Sequence, residues 1–591
     1  MTRSRLVYIK ILLRLRRFLR NDHLILSVLG LIVGSGTGVI AVIFREAIHH
    51  IDVKLLGAES EAVYHFAAQL PWWQILLIPS VGGLIIGLFI YFFMPNQHPQ
   101  GVADVIEANA LRGGKMSSRT GIKAAIASIL SIGVGASVGR EGPAVHLGAS
   151  LSSWFARKLH LTRSLTRTLL GCGVGAAVAA SFNAPIAGVL FASEVVVGHY
   201  ALKAFAPIVI ASVAGTAISR SHFGDFPAFA FETEIITSVW EFPAFVLLGV
   251  CAGIAAIIFM RSIFLAEDLA NKIPVPRWAL PALGGLGIGI IAIYFPQVLG
   301  VGYGITESAL LMELSLILLI VLGVLKILAT AISLGFGFSG GVFSPALVVG
   351  AMVGGAFGII ATTAIPEHSS GPAAYTIVGM GALAASVLGA PISTTLIIFE
   401  MTKNYALTIA VMLAVVISTE ISHNFFGRSF FSVQLKRRGI DVKEGFESEV
   451  MRSRSIAQVM KLDAVTLNIA SPIKDLRNRL QASTNGELFI LKDNGDLYGT
   501  VTFGDLSETA FDNSVDDLIN AGDVARQNPP VLTPEDDLET ALILMNNTGE
   551  DQIAVVKQEG SSQFKGCVHQ RDIMAAYNQA LLEARHEEHN E

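Results

Sequence analysis

Long apolar runs alternate with short, broken ones from about residue 24 to about residue 431, and there the pattern stops. Residues 24–44, 72–94, 243–260, 278–295, 314–334 and 405–422 each predict a helix able to cross a bilayer core, which takes roughly 20 apolar residues. Residues 124–138, 143–155, 169–182, 184–198, 345–365 and 376–389 are shorter and interrupted by Gly or Pro. They predict half-helices that end inside the membrane with their termini lining a cavity. Beyond KRRG (436–439) the balance becomes that of a soluble domain. LFIL (488–491) and YGTVT (498–502) predict paired strands followed by a helix in DLSETAF (505–511). QIAVVK (552–557), KGCVH (565–569) and RDIMAAY (571–577) repeat that order. The division that follows is a basic segment at 1–22, a membrane domain at 23–440, an αβ pair at 441–580 (about 450–510 and 520–580) and a polar, frayed tail at 581–591.

Composition agrees with this pattern. Of 591 residues, 52% are hydrophobic and only 15% charged, and mean hydropathy is +0.58, which is the membrane class. A net charge of −5 argues against a nucleic-acid partner. Cys172, Cys251 and Cys567 lie too far apart for a metal motif or a disulfide framework, and HEEH in the tail lacks the HExxH zinc spacing. No nucleophile–base constellation suggests an enzyme. Arg3, Arg5, Lys10, Arg14, Arg16, Arg17 and Arg20 precede the first span without a cleavage site, so the N-terminus is expected to be cytoplasmic.

The chain repeats itself. PSVGGLIIG (79–87) matches PALGGLGIG (281–289), and Gly133, Gly135, Ser137, Gly139, Pro143, Gly148 and Ala149 match Gly335, Gly337, Ser339, Gly341, Pro345, Gly350 and Ala351, all at an offset of 202. NAPIAGVLFASE (183–194) matches GAPISTTLIIFE (389–400) at an offset of 206. Three ordered blocks at nearly one spacing predict two halves, about 70–200 and 275–430, with the functional site at their interface. Parallel and inverted arrangements both fit these residues.

Within each half, Gly-x-Gly-x-Ser leads to a Pro that opens an apolar helix. The first turn of such a helix carries unpaired N–H groups and the positive end of the helix dipole, about half a unit charge. Two such termini facing each other make an anion site from partial charges, which permits release as well as capture. Arg140 and Glu141 stand in the first copy of this motif and have no charged counterpart in the second. An intramembrane carboxylate is a functional candidate by default. Glu141 can occupy the anion's place while ionised and swing away once protonated, gate and proton carrier in one residue. The alternative is a structural pair with Arg140, which adjacent positions on a helix disfavour.

GREGP (139–143), GGVFSP (340–345), NAPIAGVLF with its following Glu, and the tandem C-terminal modules resemble the CLC family of chloride channels and chloride/proton exchangers, followed by a CBS-domain pair. The resemblance covers about 24–440 and 450–580. It implies an all-α polytopic membrane fold of about 18 helices with an inverted repeat, then an α/β tandem CBS domain. It further implies a homodimer in a lipid bilayer, a bacterial inner membrane, with the CBS pair cytoplasmic and no cofactor required for transport. Backbone N–H groups of Arg140 and Gly142 would serve an outer anion site, those of Val342 and Phe343 a central one, and Glu141 would be the gating glutamate.

Three positions depart from the family pattern. PQGVA (99–103) replaces GSGIP, so Gln100 beside Gly101 stands where a serine hydroxyl would meet the central anion, and it is either a donor there or an ordinary loop residue. Phe431, in GRSFFS, stands at the central tyrosine's place and has no hydroxyl to give. FASEVV keeps Glu194 but carries Val195 where several exchangers have a second, proton-relaying acid. Glu194 is either a helix-end carboxylate or a substitute relay, and Glu400 is its repeat partner. In the CBS pair, Thr502 and Asp505 fit a ribose-binding hydroxyl and carboxylate, while His569 and Asp572 fit less well. An adenine-nucleotide sensor and a purely structural pair both remain open.

The reading is therefore transport of chloride or a similar small anion, with proton antiport gated by Glu141. Val195 and Phe431 keep an uncoupled voltage- or pH-gated channel as the alternative. A CBS-regulated divalent-cation transporter is more distant, because the spans carry few acidic residues.

Overall fold

The computed structural model describes residues 22–58, 60, 62–198, 202–225, 238–440, 451, 454–462, 464–483, 486–506, 516, 518–558 and 560–590. The basic N-terminal segment, apart from its last residue, and most of DLSETAF lie outside them. The chain forms two compact units, residues 1–442 and 443–591.

Among its described residues the first unit is entirely helical. In chain order it contains α1 (Asp22–Leu56), α2 (Trp72–Phe93), α3 (Val102–Leu111), α4 (Ser118–Gly133), α5 (Glu141–Lys158) and α6 (Arg163–Phe182). α7 (Pro185–Phe191) runs on into a π-helical turn over Ala192–Val197, and α8 (Leu202–Phe223) follows. Next come α9 (Phe242–Lys272), α10 (Leu280–Tyr294), α11 (Tyr303–Leu310), α12 (Leu316–Gly335) and α13 (Phe343–Ala364). α14 (Pro372–Leu388), α15 (Pro391–Thr402), α16 (Tyr405–Phe425) and α17 (Phe430–Arg437) follow, and a five-residue helix over Val63–Ala67 and short 3-10 turns lie between the longer helices.

Nine helices among the described residues are long and apolar enough to cross a membrane. Residues such as Ile85, Phe92, Ile317, Val324 and Val416 stay exposed on them, as a lipid-facing surface requires. Trp72, Trp240, Tyr294 and Tyr405 are exposed at helix ends, where an aromatic belt forms. Three expectations change here. α8 is a span that the hydrophobic pattern missed, because Ser, Thr and Gly interrupt it; those small residues pack it against α1 and α6. α6 and α13 are full-length helices, not short fragments, and 78% of each apolar window is buried inside the protein. Their Gly- and Ala-rich faces let helices approach closely instead of facing lipid.

The repeat is visible as reciprocal contacts. A Cβ on Gly83 would overlap the Pro281 carbonyl, and one on Gly285 would overlap the Pro79 carbonyl, so α2 and α10 cross at their matched glycines. Ser137 N donates to Ser333 Oγ and Ser339 N to Ser131 Oγ, each at 3.0 Å. Every one of these contacts maps onto its mate when the two halves exchange roles, the signature of a pseudo-two-fold axis.

The second unit has two small sheets. β1 (Thr466–Asn468), β2 (Glu487–Leu491), β3 (Leu497–Thr502) and β4 (Arg526–Gln527) form one, in that order. β5 (Val531–Leu532), β6 (Gln552–Val556) and β7 (Phe564–His569) form the other. Each has a parallel pair followed by an antiparallel one. α18 (Ile473–Ala482) and α20 (Leu538–Thr548) pack on them; between these in sequence lies the single turn α19 (Ala521–Val524). α21 continues from Gln570 to Asn590, so the C-terminal tail is helical rather than frayed. The module boundaries also cross over. Ile456 is buried with the second module's core, and Ala521 with the first. The reason is hydrogen bonding: Ile456 N donates to Asp536 O, and Lys461 and Cys567 exchange backbone bonds.

Candidate anion pathway

α4 ends in a left-handed glycine, Gly135 (φ 90°), and α12 in its repeat mate Gly337 (φ 94°). Ala136 N then bonds back to Ser131 O, and Phe338 N to Ser333 O, closing each helix and turning the chain sharply. The two turns meet. Gly139 N donates to Gly341 O at 2.7 Å and Gly341 N to Gly139 O at 2.8 Å. α5 and α13 start immediately afterwards, capped by Arg140 and Val342 without a side-chain bond, and each has Pro as its third residue. Their first-turn N–H groups therefore converge on one place.

Glu141 fills that place. Its side chain is 1% exposed. Ser344 Oγ, at the start of α13, donates to both carboxylate oxygens at 2.6 Å. Tyr303, the first residue of α11, donates its hydroxyl to Oε1 at 2.7 Å. A carboxylate from one half thus sits on the helix terminus of the other, as a bound anion would. Arg140 Nε is 4.0 Å from Oε1, at the limit of an ion pair. Its guanidinium lies over the Tyr303 ring, 4.6 Å from the centroid. The loop before Tyr303 is itself fixed: buried Lys326 donates to Val298 O and Gly300 O at 3.0 and 2.9 Å, and Gly300 N donates to Gly135 O.

Two cavities reach this point. One, of about 290 Å³, is lined by Gln100, Gly101, Glu141, Gly142, Val342, Phe343 and Phe431, among others. The other, of about 270 Å³, is lined by Arg45, Glu46, His49, Asp52, Arg140 and Tyr303, among others. Glu141 faces the first, and its bonded partner Tyr303 faces the second. All the sequence-derived anion residues but Arg140 share one cavity. Tyr303 and Ser344 were missed by sequence reasoning. Ser344 had a signal, a hydroxyl inside GGVFSP; Tyr303 had none, since only the fold brings it to Glu141.

Residues 82–423, more than half of the chain, match the family model described as voltage gated chloride channel. The chain belongs to the CLC family. Residues 521–579 match the CBS domain. A ClcB-like chloride channel protein of Ralstonia nicotianae is 33% identical over 420 residues, covering 70% of this chain and 97% of that relative. Chloride channel protein CLC-f of Arabidopsis thaliana is 27% identical over 557 residues, covering 83% and 70%. Among solved structures, a slow cyanobacterial Cl⁻/H⁺ antiporter is similar with a TM-score of 0.64 at 23% identity, covering 70% of this chain and 97% of that one. A eukaryotic CLC transporter has a TM-score of 0.59 at 18% identity, covering 93% and 97%. These last two likenesses concern the fold. Membership in a chloride-transporting membrane family sets aside the divalent-cation reading.

In this CLC protein the departures from the family pattern have clear surroundings. Gly101 caps α3, and its N–H donates to Asp104 Oδ2 at 2.7 Å, so that amide is already satisfied; Asp104 in turn pairs with Arg438 at 3.0 Å. Gly101 therefore lines the cavity without a free donor. Phe431 packs edge-on against Phe430, and Phe343 lies against Phe182 and Phe191. Phe191, Phe343, Phe430 and Phe431 all line the cavity, so rings make up much of its wall. Glu194 is not with Glu141. Its two oxygens accept from Ile392 N and Ser393 N at 3.1 and 2.8 Å, capping α15, while Glu400 accepts from Ile186 N and Ala187 N, capping α7. This reciprocal capping matches the helix-end alternative for Glu194.

In the CBS unit, Asp505 Oδ2 accepts from Thr502 N, Thr502 Oγ1 and Arg526 Nε at 2.7, 2.8 and 3.1 Å. Asp572 is placed otherwise and pairs with Lys461 at 2.9 Å. His569 approaches Cys567 Sγ. Burial, and then the nearby Glu550 carboxylate, push the Glu487 carboxyl up to about 8.

Proposed function

We propose that this CLC protein exchanges chloride, or a similar small anion, for protons, with Glu141 as the gate. One observation carries the reading: the Glu141 carboxylate lies on the α13 terminus between two cavities, held by Ser344 and Tyr303. While ionised it is the resident anion and closes the path. Protonation removes its charge, weakens both hydroxyl bonds, and lets a halide take its place against the amides of Arg140, Gly142, Val342 and Phe343. Return of the carboxylate expels the anion and releases the proton. The test is reconstitution in liposomes, following chloride and pH together under a chloride gradient. Proton movement with chloride is expected; Glu141→Gln should abolish it and leave chloride flux. Chloride flux without proton movement in the unaltered protein would mean an uncoupled channel, the reading that Val195 favours.

The assembly implied is a homodimer in a bacterial inner membrane, with the N-terminus and CBS unit cytoplasmic. An adenine nucleotide is the proposed CBS ligand. Three donors hold Asp505 Oδ2 in place, which leaves Oδ1 to accept a ribose hydroxyl. ATP or AMP should then raise the melting temperature of the intact protein, and Asp505→Asn should remove the shift; no shift with either nucleotide would favour the structural role.

A further inference from the structure

His146 stands on α5, five residues and about 7.5 Å along the helix from Glu141. It is 1% exposed, and neither ring nitrogen has a hydrogen-bond partner among the described residues. A neutral imidazole carries one donor and one acceptor, and buried groups of that kind are nearly always paired. His146 borders a third cavity, of about 620 Å³, with both ring nitrogens covered by the surrounding packing. The charged groups bordering that cavity are Asp104, Glu107 and Arg112 from α3 and the residue after it, Glu267 from α9, Arg437 and Arg438 from α17 and the residue after it, and His98 before α3. Most are already engaged: Asp104 with Arg438, Glu107 with Arg112, Arg437 with Asp268. The mixture of signs suits neither an anion nor a cation site, but it keeps the space polar.

This cavity and the Glu141 cavity share Gln100, Asp104, His98 and Glu267, so they meet at the start of α3. Arg438 and Ile440 border it, which puts it on the face where the chain leaves the membrane unit. Antiport requires protons to reach Glu141 from that face. Val195 offers no acid for the purpose, and Glu194 is committed to the amides of α15.

We propose that His146 is the proton-relay residue serving Glu141 from this cavity. The inference rests on the antiport reading above. When the packing over the ring opens, water from that cavity gives a proton to one ring nitrogen and forms the imidazolium. The other nitrogen gives a proton to water admitted between the ring and the Glu141 cavity, which His146 does not itself line, and that water protonates the Glu141 carboxylate. The imidazole returns to neutral, and no other species is consumed.

The experiment is the paired chloride and proton flux assay on the full chain. His146→Gln keeps polarity and size but does not titrate. It should lower proton flux at least about tenfold while chloride flux persists. His146→Glu should restore proton flux, and imidazole supplied to the cavity side should restore it to His146→Ala. Glu267→Gln, at the shared mouth, should keep coupling. Normal coupling in His146→Gln overturns the relay and leaves antiport standing; absence of proton flux in the unaltered protein overturns both. If His146→Gln loses both fluxes, His146→Ala with imidazole decides: recovered proton flux supports the relay, and recovered chloride flux alone overturns it.

Discussion

At the scale of single residues, the proposed gate consists of one carboxylate and two hydroxyls. Ser344 and Tyr303 both donate to Glu141, and hydrogen bonds to a charged acceptor contribute roughly 1.5–3 kcal/mol each. Removing one donor favours the open, protonated state by that amount. Tyr303→Phe and Ser344→Ala should therefore let chloride through at a pH about one unit or more higher than the unaltered protein, since one unit is about 1.4 kcal/mol. Chloride flux measured against pH in liposomes checks this, and an unmoved profile in both variants would remove the hydroxyls from the gate. Sequence reasoning found Glu141 because a carboxylate is conspicuous in an apolar run. It missed Tyr303 because a tyrosine 162 residues away carries no mark of its destination.

At the scale of elements, helix termini and strand starts decide the electrostatics. The capping of α7 by Glu400 and of α15 by Glu194 shows how a half-buried carboxylate can serve a helix end by accepting from its free amides. β2 gives a pH-dependent case outside the membrane. The Glu487 carboxyl, with an ordinary value of 4.5, is pushed up to about 8 in the folded unit. The folded state then binds a proton that the unfolded state has lost, so the contribution to stability is complete below about 4.5 and is lost as pH rises to about 8. Amide protection in β2 and β3 of the intact chain, corrected for intrinsic exchange, should fall by up to about tenfold per pH unit across that range. Glu487→Gln should flatten the dependence; an unchanged slope in the variant would assign it to another group.

At the scale of the whole molecule, the membrane unit is two similar halves that touch at matched positions. Gly83 and Gly285 each face the other half's proline carbonyl. A side chain at either site must push α2 and α10 apart, and overpacking of this kind costs typically 1–3 kcal/mol or more. Gly83→Leu and Gly285→Leu should lower the melting temperature to a similar extent, measured in detergent. A large loss from one and none from the other would contradict the symmetry.

Hydropathy, the repeat and the Gly-x-Gly-x-Ser motifs alone determined the membrane class, the two halves, the paired helix termini and the place of Glu141 at one of them. These are local properties: an apolar run needs lipid or core whatever its neighbours, and a Pro after glycines opens a helix wherever it lies. Tertiary structure decided the rest. It put Ser344 and Tyr303 on Glu141, turned Glu194 into a cap, made α8 a span, left His146 buried and unpaired among the described residues beside a polar cavity, and interleaved the two CBS cores. Each depends on which surfaces meet across long stretches of chain. That choice is made by close packing and hydrogen bonding between elements, which the order of residues within any one element does not contain.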